Sequence, residues 1–451
     1  MNKNFTLDEI ANTLKVSSRT VLREIKRGNL KSRRVGRRHI ITNRDLQKYL
    51  TRSTVGTLLD VEQFFENKKP EMISFLQQLV SMSSENNELG QEGRLAYFIK
   101  SKFEENGIRS VVYNEGSAVA VRASYGYADD GILLNCPLDT ITTGSLDKWK
   151  YPPFDGVIKA GKMYGRGTAD CKAGIVAMIY TLFALKRYIS EEGIRVELVF
   201  DGGEQSGEYL GMKLALKKGL PVKSGIIGYA GDEHELYIGA RGYHRYTFVS
   251  LGHSAHTGAR LKVGINAIEK MAKFISKLTA KKLPKSEPDF FSFGQRLTFS
   301  IINGGRGINI VPDECRARLD VRTSPEFDKA RVSDFIRKTI SELEFEDKDI
   351  RLEFQYDVGE EGYLLKKDES IIRVLKGEID NVYQRRKVKL TASGPAHVGN
   401  LLVKYGVPVV VWGPRGTNVH SYDEYVELDS ISKTSEIYTK TIIKYFKEQA
   451  G

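Results

Sequence analysis

The chain has 451 residues, 41% hydrophobic and 28% charged, with a net charge of +12 and three cysteines. That length allows two to four domains with sizeable cores, and the composition is that of a globular chain rather than a fibrous or disordered one. No apolar run approaches the roughly 20 residues that span a bilayer, MNKNFTLDEI has no signal-peptide core, and Cys136, Cys171 and Cys315 form no CxxC pair, so a cytoplasmic protein with no membrane contact is expected.

The charge is uneven. Residues 1–50 carry 13 Lys/Arg and 4 Asp/Glu, which places +9 of the +12 there. Thr6-Leu7-Asp8-Glu9 reads as a capping box before helical spacing of Leu7, Ile10, Ala11 and Leu14. A short turn leads to a second cap at Ser18 and a helix with Val21, Leu22 and Ile25 inward. Arg19, Thr20, Arg23 and Lys26 are left outside, and Gly28 ends the helix. A hairpin, LKSRRVGRRHIIT, follows, and Asn43 caps a third helix, RDLQKYL. Two short helices with a basic outer face and an Arg-rich wing describe a helix-turn-helix. The second helix, with Arg19, Thr20 and Arg23, suits a major groove, while Arg33, Arg34, Arg37 and Arg38 suit phosphates. The stretch resembles the excisionase-type (MerR-like) winged helix-turn-helix domain, which implies double-stranded DNA as partner. A basic bundle that binds RNA or protein is the other reading. One such module reads few bases, so a dimer is expected.

Residues 1–52 are thus expected as the DNA-binding domain and 53–60 as a polar linker. From Val61, helical periodicity over 61–80 and 91–106 alternates with strand-like runs at 109–113, 118–121, 132–134, 196–200 and 226–227, the pattern of an α/β layered sheet. Between 243 and 353 alternating strands and two helices suggest an inserted α+β lid, leaving 61–242 and 354–451 as one discontinuous α/β domain. In GKMYGRGTADCKAG, residues 161–174, small residues and Asp170 stand where a loop enters a buried helix. A carboxylate among glycines suits a metal or polar ligand there.

The segments LLNCPLDT, YGRGTADCKAG, VELVFDGGEQSGE, GHSAHTG, NGGRGINIVPDECRARLDVR and GTNVHSYDEYVEL, in that order, resemble the dinuclear zinc hydrolases that include acetylornithine deacetylase, succinyl-diaminopimelate desuccinylase, aminoacylase and carboxypeptidase G. The resemblance implies amide hydrolysis beside a carboxylate, with two zinc ions activating water and a Glu base. It assigns the base to Glu204, a supporting acid to Asp139, the bridging metal ligand to Asp170 and a late metal ligand to His420. At the other three ligand positions stand Pro137, Gln205 and Tyr229. Two of five ligands remain, so the expected cofactor is none or weakly bound zinc. Cys136, Asp232, His234 and His397 are the nearby rescue candidates.

The same resemblance assigns ligand binding to Asn309 and Arg322, which grip a carboxylate, to His256, which reaches the reacting carbonyl across a dimer, and to Ser393 and Gly394. A strand-end ion pair is the plain alternative for Arg322. The pattern implies a DNA-binding, ligand-responsive transcription regulator that dimerises through the lid and binds a small carboxylate such as an amino-acid derivative or peptide. The alternatives are an active metal-dependent deacylase or peptidase with an altered site, and a DNA-binding scaffold without ligand.

Overall fold

The computed structural model describes residues 4–13, 17–26, 30–36, 38–42, 45–46, 54–86, 90–189, 193–261, 263–285, 289–384 and 386–449. The N-terminal module has helices Leu7–Thr13 and Ser18–Lys26 and a three-stranded sheet in which Arg38–Thr42 lies between Asn4–Thr6 and Arg33–Val35. Its small core is Ile10, Ala11, Val21, Leu30, Ile41 and Leu46. The capping box forms: Glu9 accepts from the Thr6 amide at 2.8 Å, and Thr6 Oγ1 accepts from the Glu9 amide at 3.3 Å. Ser18 differs from expectation, because its hydroxyl donates to Asp8 Oδ1 at 2.6 Å and so ties the two helices together. Gly28 and the expected cap Asn43 lie outside the described residues; Thr42 and Asp45 exchange two hydrogen bonds of 2.7 and 3.1 Å at that corner.

The expected linker is corrected. Residues 54–60 form the front of one helix, Thr54–Ser81, 28 residues long with Pro70 inside it. Propagating a formed helix costs little once the nucleus exists, so a polar start with a Gly does not stop it.

The body is built on a nine-stranded sheet. Its centre is Gly131–Pro137, parallel to Val222–Ile227 on one side and Arg195–Asp201 on the other. Ala118–Gly126 and Arg109–Glu115 continue it antiparallel. Helices Thr54–Ser81, Ala173–Tyr188, Ser370–Val382 and Leu428–Gln449 pack together over one face, and Leu210–Lys217 and Val398–Lys404 cover part of the other. The central strand is buried at every residue, as parallel strands covered on both faces are. One stretch, Thr168–Arg187, is long and apolar enough to cross a bilayer, contrary to the sequence expectation, and it is packed into this core.

The lid is a four-stranded antiparallel sheet ordered Arg296–Gly304, Glu314–Thr323, Gly242–Leu251, Leu352–Glu360, with helices Ala267–Ala280 and Lys329–Glu346 on one face. The strand Leu352–Glu360 pairs along its length with Gly242–Leu251, so the lid ends at 360 rather than 353. Along Glu314–Thr323 burial alternates strictly: Cys315, Ala317, Leu319 and Val321 lie under the helices, and Arg316, Arg318, Asp320 and Arg322 stand on the open face. Period-two geometry forces that separation.

Candidate functional site

The strand Gly131–Pro137 delivers Pro137 and Asp139 to the sheet's C-terminal edge, and Arg195–Asp201 delivers the loop carrying Glu204 and Gln205. Asp139, fully buried, accepts from the Glu204 amide at 3.2 Å and the Gln205 amide at 2.9 Å, so it fixes that loop. Asp170 enters from the turn before Ala173–Tyr188. Gly174 begins that helix against the sheet; a Cβ on it would stand 2.2 Å from the Gly228 carbonyl, so the close approach requires glycine. The turn is clamped by Glu424, which accepts from the Ala169 and Asp170 amides at 2.8 and 2.9 Å and from Arg166 Nη1 at 2.7 Å. Sequence reading did not single out the Arg166–Glu424 pair, since its partners lie far apart in the chain.

The remaining donors are spent on one another. His420 Nε2 lies 2.9 Å from Asp170 Oδ2, and this bond raises the His420 pKa. Gln205 Nε2 donates to the same oxygen at 3.4 Å. Tyr229 donates its hydroxyl to Glu204 Oε1 at 2.9 Å. Burial, and then the charges of Asp170 and Asp139, push the Glu204 carboxyl well above its ordinary range despite that bond.

Zinc needs at least three free N, O or S donors from the protein, and four in a closed site. Here Pro137 offers none, Tyr229 is turned onto Glu204, Gln205 presents an N–H to Asp170, and Asp170 is already bonded to His420. Among the described residues no group of three His, Cys, Asp or Glu side chains is placed to hold a metal. The donor set does not fit a dinuclear zinc centre. The rescue candidates do not mend it. Cys136 points at Met178 Sδ, 3.7 Å away. Asp232 and His234 line a separate cavity of about 590 Å³. His397 lines the site, but its Nδ1 accepts from the Gly399 amide at 3.1 Å as a helix cap. Burial lowers its pKa to about 3, so the ring is neutral and Nε2, unpartnered, carries the proton. It is a donor and not a ligand.

Asp170, Glu204, Gln205, Tyr229 and His420 open onto a cavity of about 530 Å³, which Arg322 from the lid and Ser393 from the α/β sheet also line. Volumes of this order suit a small molecule. The Arg322 guanidinium is gripped by Asp320, Nε to Oδ1 at 2.7 Å, so a strand-end ion pair forms and the side chain still faces the cavity. Gly394 sits at a neighbouring cavity, where its carbonyl accepts from Arg241 Nε at 3.0 Å. His256 and Asn309 do not reach the cavity within one chain. They lie exposed beside each other in the lid, joined by the Thr257 amide to the Asn309 carbonyl at 3.0 Å. Sequence reading missed Tyr209, Tyr243 and Arg245, which also line the cavity. Tyr243 and Arg245 share one face of Gly242–Leu251, with His244 and Tyr246 on the other, a placement that the strand assignment itself implies. In the N-terminal module Arg19, Arg23, Arg33, Arg34 and Arg38 are all exposed, whereas Arg37 and the side chain of Thr20 lie outside the described residues.

Comparison with known proteins divides the chain in the same way. A model described as peptidase family M20/M25/M40 matches residues 133–444, and a helix-turn-helix domain model matches residues 5–54. A probable succinyl-diaminopimelate desuccinylase of Staphylococcus aureus (strain MSSA476) is 27% identical over 411 residues, covering 84% of this chain and 98% of that protein. A tripeptidase from Staphylococcus aureus has a TM-score of 0.68 at 21% identity, covering 84% of this chain and 99% of its own. A dinuclear metal binding peptidase from Bacillus subtilis has a TM-score of 0.63 at 15% identity, covering 85% and 99%.

Proposed function

This chain belongs to peptidase family M20/M25/M40 and carries a helix-turn-helix domain ahead of the peptidase fold, and from that premise we propose that it is a ligand-responsive, DNA-binding transcription regulator of the cytoplasm. Its peptidase-like domain binds a small carboxylate, an amino-acid derivative or peptide, in place of hydrolysing one. One observation carries the proposal: the groups at the metal positions bond to each other, while Arg322 and Arg245 open onto the same cavity.

In this reading Arg322 holds the ligand carboxylate in exchange for Asp320, Ser393 borders it, and the unpartnered His397 Nε2–H supplies one more donor. Two copies pair through the lid. The strand Arg296–Gly304 has a neighbour on one side only and exposes Ile301 and Ile302, 46% and 50% accessible. Pairing there brings His256 and Asn309 of a second copy toward the cavity and supplies two DNA-reading modules. A ligand shifts DNA affinity only by its unequal affinity for the open and closed lid.

The test has two parts. Zinc tightly bound per protomer after purification without chelators is expected near zero, with no gain on adding zinc. Charge reversal at Arg37 and Arg38 is expected to weaken DNA binding by about a hundredfold and to flatten its salt dependence by about two units of slope. Stoichiometric zinc together with turnover of N-acyl amino acids or dipeptides supports the second reading, an altered metal-dependent hydrolase, which retained Glu204 and Asp139 favour.

A further inference from the structure

On the open face of the lid sheet, Arg296 stands directly opposite Arg322, and Arg322 directly opposite Tyr243. In the next row Thr298, Asp320 and Arg245 are partners, and Arg318 faces Thr247 beyond them. Like charges directly opposed across strands destabilise a sheet. Four arginines on three neighbouring strands therefore concentrate positive charge on one face, and Arg241 joins them from the lid's root.

These five guanidinium groups line a cavity of about 680 Å³ whose described lining includes one carboxylate, Asp320. Asp320 is divided between Arg322, at 2.7 Å, and Arg245, at 3.2 Å. Asp357, at the sheet's far side, lies 3.6 Å from Arg318 and accepts the Thr247 hydroxyl at 2.8 Å. Arg241 is held by uncharged partners, the carbonyls of Gly394 and Gly294 at 3.0 and 3.2 Å, and lies over the Phe293 ring at 4.3 Å. Burial and the charges of Arg296 and Arg322 lower its pKa. Arg296 is exposed and, among the described residues, has no carboxylate at ion-pair distance. At least two positive charges are thus left without a counter-charge, beside the Thr298 and Ser300 hydroxyls.

We propose that this face is a second binding site, distinct from the carboxylate anchor at Arg322 and taking a small polyanion with two or more negative charges between Arg241, Arg296 and Arg318. The planar forks of these side chains match phosphate or carboxylate oxygens in pairs. A monoanion leaves part of the repulsion in place, whereas a pyrophosphate or tricarboxylate group spans the rows. The site adjoins the first cavity, with Arg245, Arg322 and Pro395 shared between them, so its occupant touches the wall against which the lid closes.

The experiment uses the full-length protein at constant ionic strength, with pyrophosphate and citrate as probes and acetate as the monoanion control. Isothermal titration is expected to give one saturable site per chain for a polyanion and binding at least tenfold weaker for acetate. The double substitution Arg296→Ser, Arg318→Ser is expected to weaken polyanion binding by about tenfold or more. Arg296→Ser relieves the opposition to Arg322, and Arg318→Ser loses only the half-exposed contact with Asp357, which Thr247 still bonds, so folding is preserved. Thr298→Glu, which adds a carboxylate to the same face without deleting any arginine, is expected to weaken binding to a similar degree. Both variants retain the Arg322-dependent response to an N-acyl amino acid. Polyanion binding no tighter than acetate overturns the proposal, as does polyanion binding unchanged in both variants. Loss of DNA affinity in the double variant without any polyanion binding in the parent also overturns it, because the face is then a DNA contact.

Discussion

The two walls of the cleft differ in how their polar groups are satisfied. On the α/β side, Tyr229 bonds Glu204, Asp170 takes both His420 and Gln205, and Asp139 holds the backbone of the loop. Tyr229, Glu204, Gln205, Asp170 and His420 are thus closed into local pairings. On the lid side, one carboxylate serves two arginines and three more arginines share the same face. The first wall keeps one unpartnered donor, His397 Nε2, and is otherwise bonded to itself, whereas the second is short of counter-charge. In a pocket, groups bonded to each other define shape, whereas groups short of partners define what enters. On the proposed reading, the charge that selects a ligand stands mainly on the lid, with His397 adding one donor from the other wall.

Restoring metal donors to the α/β wall is expected to change the molecule most. Combining Pro137→His, Gln205→Glu and Tyr229→Glu returns the missing donors, and zinc at a hundredfold excess over its Kd then stabilises the chain by about 2.7 kcal/mol. Parent protein is expected to show no shift with zinc; a matching rise in the parent's melting temperature means that the wall was never closed. Next in size, Arg322→Ala removes charge-assisted bonds of about 2 kcal/mol, and calorimetry is expected to find no carboxylate-dependent stabilisation in that variant. A full shift there places the carboxylate elsewhere on the lid.

A third effect concerns the carboxyls beneath the closed wall. Burial pushes Asp201 up to about 8, Glu92 up to about 7 and Asp139 up to about 6. Between the ordinary carboxylate range and pH 8 the folded chain therefore holds protons that the unfolded chain has released. Stability is greatest at the acid end of that window and falls as pH rises, by up to about 1.4 kcal/mol per pH unit for each such group. Asp201→Asn, which keeps the shape of the protonated acid beside Asn135, is expected to flatten the slope and raise stability at pH 8. A melting temperature that climbs from pH 5.5 to 8 contradicts the assignment. A single hydrogen bond on the α/β wall contributes less. Tyr229→Phe deletes the hydroxyl on Glu204 and is expected to cost about 1 kcal/mol in denaturant unfolding; no loss means the network does not support the wall.

Local chemistry was legible in the sequence wherever a short pattern carried it. The capping box at Thr6 and Glu9 and the strands around Gly131 and Arg195 lie within a few residues of the pattern that reveals them. Pairings that join distant segments were not. Nothing near Tyr229 announces that its hydroxyl reaches Glu204, and the Arg296–Arg322 opposition depends on a register set across a long connection. The front of Thr54–Ser81 was misread because residue preferences there are weak and helix propagation overrides them. His256 and Asn309 were read through a resemblance that presumes two copies, so one chain leaves them on the surface.

The helix Thr54–Ser81 has a mechanical consequence. At 1.5 Å per residue its length is about 42 Å, of which residues 54–60, about 10 Å, lie ahead of the part packed into the body. A tilt of about 5° in that front alone moves its end by only about 1 Å. From Val61 onward the rod is seated in the core of the body, with Phe65, Phe75 and Leu79 buried. Residues 54–60 therefore turn with the body as a forward extension of its core, and a rotation of the body is carried to residue 54 through continuous helix.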